Sequence, residues 1–497
     1  MFLYELFQNN FEILTSEFFL TLIILSLLLF GVILVNTNRN MKIIPIFLLN
    51  NVIIYFLIFT LLLIYNKPSK TMTLLNGVLI HDEFTQLIHA LLTVLTIICF
   101  WFQKNYLLQT KLFKFEYSIL ILISLLGLFL LTSAYNLLTL YLAIELQSLC
   151  FYILAASKTH SPFSIEGALK YFILGAIASG FILYGSSIIY FITGSLNFGN
   201  IFTFISNINH PETLHLILSL FYGFIFILTG LLFKMGAAPF HVWLPDVYEG
   251  SPTQITAFFA IVPKLALIAL LIRLFFDIFH DISDFFELIL YISSLSSILI
   301  GSIVALQQKK FKRLFAYSAI SHVGFILIGF VANTFQDMKY ILLYLIVYTV
   351  MSINLWTIYL SMNTKKVTIK YLTDFTNLLK INPLLATLLM LTLFSMAGIP
   401  PLAGFYSKMF IFYSALEQNL HSLALIGILM SVISSFYYIK LIKIAYFDTR
   451  KTYLIFNKIP KANSFIISIS SQVLIWFFLL IDFILCFLEK IMLLFIL

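Results

Sequence analysis

The stretch Phe233-Lys234-Met235-Gly236-Ala237-Ala238-Pro239-Phe240-His241 sets a lysine, a glycine and a proline inside an otherwise apolar run. Met396-Ala397-Gly398-Ile399-Pro400-Pro401-Leu402-Ala403-Gly404, followed by Lys408, repeats the arrangement. Glycine loosens a helix, and proline removes an N–H and clashes with the preceding turn, so each run reads as a helix interrupted near its middle. The second run, 384–417, would extend about 51 Å as one helix, against a hydrocarbon core of about 30 Å. It must be broken or steeply tilted. Irregular backbone at membrane depth is tolerated only where protein or a water-filled cavity lines it, and a matched pair of such segments points to an inverted-repeat transporter.

The rest of the chain agrees. Of its 497 residues, 61% are hydrophobic and 10% charged, where a soluble domain carries roughly 25% charged residues. This excludes a soluble globular enzyme. The reading is an all-α polytopic membrane protein with about fourteen transmembrane helices, at 18–35, 43–65, 84–102, 117–133, 136–156, 168–193, 216–239, 253–273, 286–306, 314–332, 340–361, 384–417, 421–447 and 465–485. The interrupted helices are the seventh and twelfth, which occupy the same place in two five-helix units. An odd helix count makes those units antiparallel. The expected division is an N-terminal three-helix region (1–115), a first inverted repeat (116–273), a second (274–447) and a C-terminal helix region (448–497).

With the N-terminus outside, the inward loops hold Arg39, Lys42, Lys104, Lys111, Lys114, Lys158, Lys170, Lys309, Lys310, Lys312, Arg313, Lys365, Lys366, Lys370, Lys380, Arg450, Lys451, Lys458 and Lys461, and the outward loops only Lys67, Lys70, Arg273 and Lys339. The positive-inside rule then puts both termini outside. The net charge of +8 is spread over many short loops, so it is a topology signal and not a nucleic-acid surface. Cys99, Cys150 and Cys486 sit singly in apolar runs and offer neither a disulfide framework nor a thiolate metal site. Glu5, Glu12 and Glu17, with no basic residue among residues 1 to 17, are the opposite of a transit peptide. No phosphate loop, dinucleotide fingerprint, zinc spacing or cysteine cluster appears, so energy is expected from a gradient or from partner subunits.

Four charges fall where charge is costly. Glu145 lies mid-way along the fifth span and Lys264 along the eighth; Lys234 precedes the first break and Lys408 follows the second. Each intramembrane lysine costs roughly 3 kcal/mol unless solvated or paired. A static Glu–Lys pair is the bland explanation, yet one central carboxylate cannot neutralise three lysines, and the surplus favours proton or ion movement. Pro263 frees the carbonyl of Phe259 beside Lys264, which suits a hydrated pocket. His241 and His322 are candidate relays, since imidazole offers both a donor and an acceptor near neutral pH; a hydrogen-bonded core role is the commoner fate of a lone histidine. Lys440 and Lys443 read as snorkelling anchors.

The run from Phe233 through Trp243-Leu244-Pro245-Asp246-Val247-Tyr248-Glu249-Gly250-Ser251-Pro252-Thr253 closely resembles the signature of the antiporter-like membrane subunits of respiratory complex I, in the subunit 2 branch. Gly398 to Phe405 followed by Lys408, and Ala316-Tyr317-Ser318-Ala319-Ile320-Ser321-His322-Val323-Gly324, match the same family. Ser321 to Gly324 sets the chain with the respiratory branch and apart from the plastid homologue, and Phe, Ile, Tyr and Asn usage fits an AT-rich mitochondrial genome.

The resemblance implies fourteen helices, two inverted repeats, and a proton-translocating subunit of NADH:ubiquinone oxidoreductase in the mitochondrial inner membrane, both termini on the intermembrane-space side. NADH, FMN, iron–sulfur clusters and ubiquinone would belong to partner subunits, with no cofactor in this chain. Neighbouring antiporter-like subunits of the membrane arm and lipids such as cardiolipin would surround it. It makes Glu145 and Lys234 a regulated pair, Lys264 the central relay and Lys408 the lysine of the second broken helix, with His241 and His322 at the family's histidine positions. Two other readings share parts of this pattern. A Na⁺/H⁺ antiporter subunit should carry more midplane carboxylates than Glu145; a scaffold of the membrane arm should tolerate loss of Lys234 and Lys264.

Overall fold

The computed structural model describes residues 11–37, 43–68, 71–110, 115–207, 214–362, 369–449, 456 and 458–496. Arg39, Lys42, Lys70, Lys111, Lys114, Lys365, Lys366, Arg450 and Lys451, on which part of the orientation count rests, lie outside them. Twelve described helices are long and apolar enough to cross a membrane, and two shorter apolar helices, Leu49–Tyr65 and Pro383–Ala397, join them. The chain divides into two compact units, 1–231 with 262–282 and 493–497, and 232–261 with 283–492.

The first unit is built on α1 (Thr15–Thr37), α2 (Ile43–Tyr65), a hairpin of β1 (Met72–Leu74) and β2 (Leu79–His81), α3 (Glu83–Thr110), α4 (Phe115–Thr132), α5 (Leu137–Ala155), α6 (Pro162–Thr193) and α7 (Phe198–Asn207). It also takes most of α8 (Leu214–Met235) and the second half of α10 (Thr253–Arg273). Ser133 to Asn136 make a tight turn between α4 and α5, and the Asn136 side chain caps α5 by accepting from Leu138 N–H at 2.9 Å. The hairpin was not anticipated. Leu75, Asn76 and Gly77 all have positive φ at its turn, and it docks on the α4–α5 turn through Ile80 N–H to Ser133 C=O at 2.8 Å and Tyr135 N–H to Val78 C=O at 3.0 Å. α7 buries Phe198, Ile201 and Ile205, one stripe of an amphipathic helix too short to span.

Two loop cations of the sequence reading, Lys67 and Arg273, are buried instead of exposed. Lys67 Nζ lies 3.0 Å from Glu17 Oε1, with His89 Nδ1 at 3.4 Å from the same oxygen, and Arg273 pairs with Asp82 and Asp277. Carboxylate partners make this burial tolerable. Lys170, also counted as a loop residue, lies within α6, paired with Glu166 at 2.7 Å.

The second unit holds the end of α8, α9 (Trp243–Gly250), the start of α10, α11 (Asp284–Leu306), α12 (Phe311–Ala332), α13 (Phe335–Ser361), α14 (Leu378–Ile381), α15 (Pro383–Ala397), α16 (Ala403–Glu417), α17 (His421–Tyr446) and most of α18 (Lys461–Ile496). α12 and α13 are apolar on all sides and buried on nearly all, as helices at the centre of a membrane bundle must be. α11 and α12 approach closely because a Cβ on Gly301 would come within 2.6 Å of the Ser321 nitrogen. Asp246 and Glu249 of α9 pair with Arg313 of α12, and Glu249 also with Lys310, which ties the segment after the first break to a central helix.

Candidate functional site

The two Gly/Pro stretches take closely similar local conformations. α8 ends at Met235 and Gly236 follows with φ +76°; α15 ends at Ala397 and Gly398 follows with φ +88°. An L side chain is disfavoured in that region, so each glycine lets the chain leave its helix at once. The closing bonds correspond: Gly236 N–H to Phe233 C=O and Ala237 N–H to Leu232 C=O, both 3.0 Å, against Gly398 N–H to Ser395 C=O at 3.0 Å and Ile399 N–H to Phe394 C=O at 3.1 Å. A cis X-Pro bond follows in each, Ala238–Pro239 and Pro400–Pro401. The run 384–417 is therefore two helices, α15 and α16, with Gly398 to Leu402 between them.

Lys408 shows what such a break can do. It is buried, and its Nζ donates to the carbonyls of Met396 at 2.9 Å and Ala397 at 3.0 Å, while the Phe325 ring lies 5.2 Å away. The last carbonyls of a helix lack intrahelical partners and carry the negative end of its dipole. Among the described residues no carboxylate lies within ion-pair distance of Lys408. Neutral dipoles thus hold the ammonium, and a proton leaving it strands no bare carboxylate. Gly404 makes the geometry feasible: its N–H donates to Ser395 Oγ at 3.2 Å, and a Cβ there would overlap the Ser395 carbonyl.

Lys234 occupies the last turn of α8 and is buried. His241 stands in the break itself, half-buried, and Trp243 closes the segment by donating its indole N–H to Phe233 C=O at 2.9 Å. His322 lies in α12 between two phenols, with Nδ1 2.7 Å from Tyr344 Oη and Nε2 3.3 Å from Tyr438 Oη. Lys408 and His322 share the second unit with Lys234 and His241. In the first unit, Lys264 is buried in α10, whose apolar residues are enclosed throughout, and Glu145 is half-buried in α5 with the Ser148 hydroxyl 3.5 Å from its carboxylate. The sequence reading missed Tyr344 and Tyr438. With 26 tyrosines in the chain, residue type alone could not single them out.

Two apolar helices broken at positive-φ glycines, one with a buried lysine before the break and the other with one after it, are the pattern of a membrane protein of the antiporter-like class. Residues 134–434 match the family described as NADH:quinone oxidoreductase/Mrp antiporter, TM, and the chain belongs to that family. Chain 2 of the NADH-ubiquinone oxidoreductase of Marchantia polymorpha is 41% identical over 95% of this chain and 96% of its own length. Subunit N of the NADH-quinone oxidoreductase of Parvibaculum lavamentivorans is 37% identical over 83% and 84%. A chain of respiratory complex I from Thermus thermophilus superposes with a TM-score of 0.77 at 26% identity, covering 95% of this chain and 98% of that one. A chain of the Mrp complex from Dietzia sp. shares the fold at a TM-score of 0.78 and 16% identity, over 98% and 97%.

Proposed function

We propose that this chain carries protons across the mitochondrial inner membrane as an antiporter-like subunit of NADH:ubiquinone oxidoreductase, with fourteen membrane helices and both termini on the intermembrane-space side. Glu145, Lys234, Lys264 and Lys408 are the proton-handling groups, and His241 and His322 assist. The observation that carries this reading is the Lys408 ammonium, buried and held by helix-end carbonyls with no carboxylate at ion-pair distance among the described residues. A lysine that served only to lock helices would be matched to an acid.

The redox chemistry, with NADH, FMN, iron–sulfur clusters and ubiquinone, is assigned to partner subunits of the complex, and this chain packs among the other subunits and lipids, cardiolipin included, of the membrane arm. Charge or water displaced by that chemistry near Glu145 alters how firmly Lys234 holds its proton. A buried ammonium that loses its stabilising carboxylate sheds its proton into the nearest water. Lys264 and Lys408 receive and pass it on, and water entering the helix breaks spans the gaps between side chains. Against a membrane potential of about 200 mV each proton costs roughly 4.6 kcal/mol to move, energy that comes from the partner subunits and is equivalent to a pKa swing of about 3 units, a range buried lysines can reach.

The test is Lys264→Met in the assembled complex reconstituted into vesicles. The side chain keeps nearly its volume and loses the amine that carries the proton. Acidification driven by NADH oxidation is expected to fall together with coupled turnover, and full acidification at full turnover would contradict the reading.

A further inference from the structure

An unassigned polar site lies in the first unit, at the far end of the helix that carries Lys264. A cavity of about 240 Å³ is lined by Asp82, Tyr135, Gly199, Phe202, Arg273 and Asp277, among others. It is partly open, with Phe202 exposed at its rim and Arg273 wholly buried behind it. A water molecule needs roughly 10–15 Å³ of such volume and two or more polar partners, so the space suits several waters.

The charges do not balance. One guanidinium serves two carboxylates: Arg273 Nη2 lies 2.7 Å from Asp82 Oδ2, and Nη1 lies 3.2 Å from Asp277 Oδ2. Asp82 is also bound by Thr85 N–H at 2.6 Å on Oδ1, as the cap of α3. Burial alone would raise the Asp82 carboxyl, but the Arg273 guanidinium outweighs it and holds the group below the usual carboxylate range. Asp82 and Arg273 therefore form a closed pair. Asp277 keeps the longer bond, has no other side-chain hydrogen bond among the described residues, and lines the cavity with acceptor capacity to spare. The groups around it are Arg273 on its own helix, Asp82 at the start of α3 and Tyr135 of the α4–α5 turn; α7 contributes Phe198, Gly199 and Phe202, none of which titrates.

The backbone marks the same spot. After Arg273 the α-helical ladder gives way to a π turn over Leu274–Ile278, closed by Phe279 N–H to Leu274 C=O at 3.1 Å. Such turns are rare and are kept chiefly at functional positions. Lys264 lies about 20 Å back along the same axis, and Tyr135 places the cavity at the start of α5, the end opposite the α5–α6 loop that carries Lys158.

We propose that Asp277 is the proton-exchanging carboxyl of a hydrated outer vestibule, taking a proton from water arriving from the Lys264 side and returning it to water on the outer side. This rests on the proton-carrying reading above. The step is simple: an Oδ–H bond forms as a hydronium O–H bond breaks, and the reverse releases the proton. Asp82 and Arg273 keep their charges throughout, so Arg273 positions Asp277 in both states.

The test uses the assembled complex. Infrared difference spectra taken across a pH titration are expected to show a protonated-carboxyl band that disappears in Asp277→Asn and persists in Lys234→Ala, so its fate is read independently of pumping. The same Asp277→Asn complex should pump fewer protons per electron. Gly199→Val adds methyl groups beside Tyr135 Oη, which an added Cβ would approach to 3.1 Å, and should lower pumping by excluding water with no change of charge. Absence of the Asp277 band, a band that requires sodium in place of choline buffer, or wild-type stoichiometry in either variant overturns the proposal. Loss of pumping in Lys234→Ala with the Asp277 band intact bears on the wider reading alone.

Discussion

Arg273 Nη2 and Asp82 Oδ2 meet at 2.7 Å across 191 residues of sequence, with both side chains buried. The pair joins the end of α10 to the start of α3 and so fixes the helix of Lys264 against the N-terminal helices. Asp82→Asn removes one partner and leaves a buried guanidinium with Asp277 alone. Breaking such a pair costs about 3 kcal/mol at the low end of the known range, which applies here because Asp277 remains. Thermal unfolding of the purified complex should show the loss, whereas Glu166→Gln on the exposed face of α6 should not.

The pH dependence of that stability has a definite sign. The folded Asp82 carboxyl lies below its ordinary value, so its contribution is complete above about pH 4 and is lost as pH falls through the lower folded value. Between roughly pH 6 and 8 the pair itself therefore adds no pH dependence, and the stability gap between wild type and Asp82→Asn should narrow as the pH is taken below about 4.

At the second break, Gly404→Ala should be far worse than Ser395→Ala. A Cβ at Gly404 would collide with the Ser395 carbonyl, which forces α15 and α16 apart at a cost of about 3 kcal/mol or more. Removing the Ser395 hydroxyl forfeits one hydrogen bond, about 1 kcal/mol. Gly398→Ala should fall between them, since φ +88° costs an L residue about 1–2 kcal/mol and the new Cβ would press on Lys408 Cδ at 3.1 Å. Yields of intact complex give the order.

His322 should depend more on Tyr344 than on Tyr438, the contacts being 2.7 and 3.3 Å. Tyr344→Phe is expected to lower stability by about 1 kcal/mol and to slow coupled turnover more than Tyr438→Phe. Equal effects would place His322 in a packing role.

The sequence reveals the breaks because glycine and proline act on their own backbone: Gly236, Pro239, Gly398 and Pro401 can be read without knowing what surrounds them. Lys408 is legible as a buried charge, but its carbonyl partners are not, because they depend on how α16 folds back on α15 through Gly404. Arg273 and Lys67 read as loop cations since hydropathy knows nothing of Asp82 or Glu17, whose meeting is a matter of tertiary contact. The hairpin at 72–81 is too short to leave a period, and the π turn at 274–278 has no residue signature. What was legible was local, and what was not required two distant segments at once.

The central claim is that protons pass through this chain by way of its buried lysines. The most direct test is the number of protons pumped per NADH oxidised by the assembled complex in sealed vesicles, with Lys234→Ala and assembly verified. The account predicts loss of pumping or of coupled turnover. An unchanged proton-to-electron ratio at full turnover would contradict it and leave the chain as a scaffold of the membrane arm.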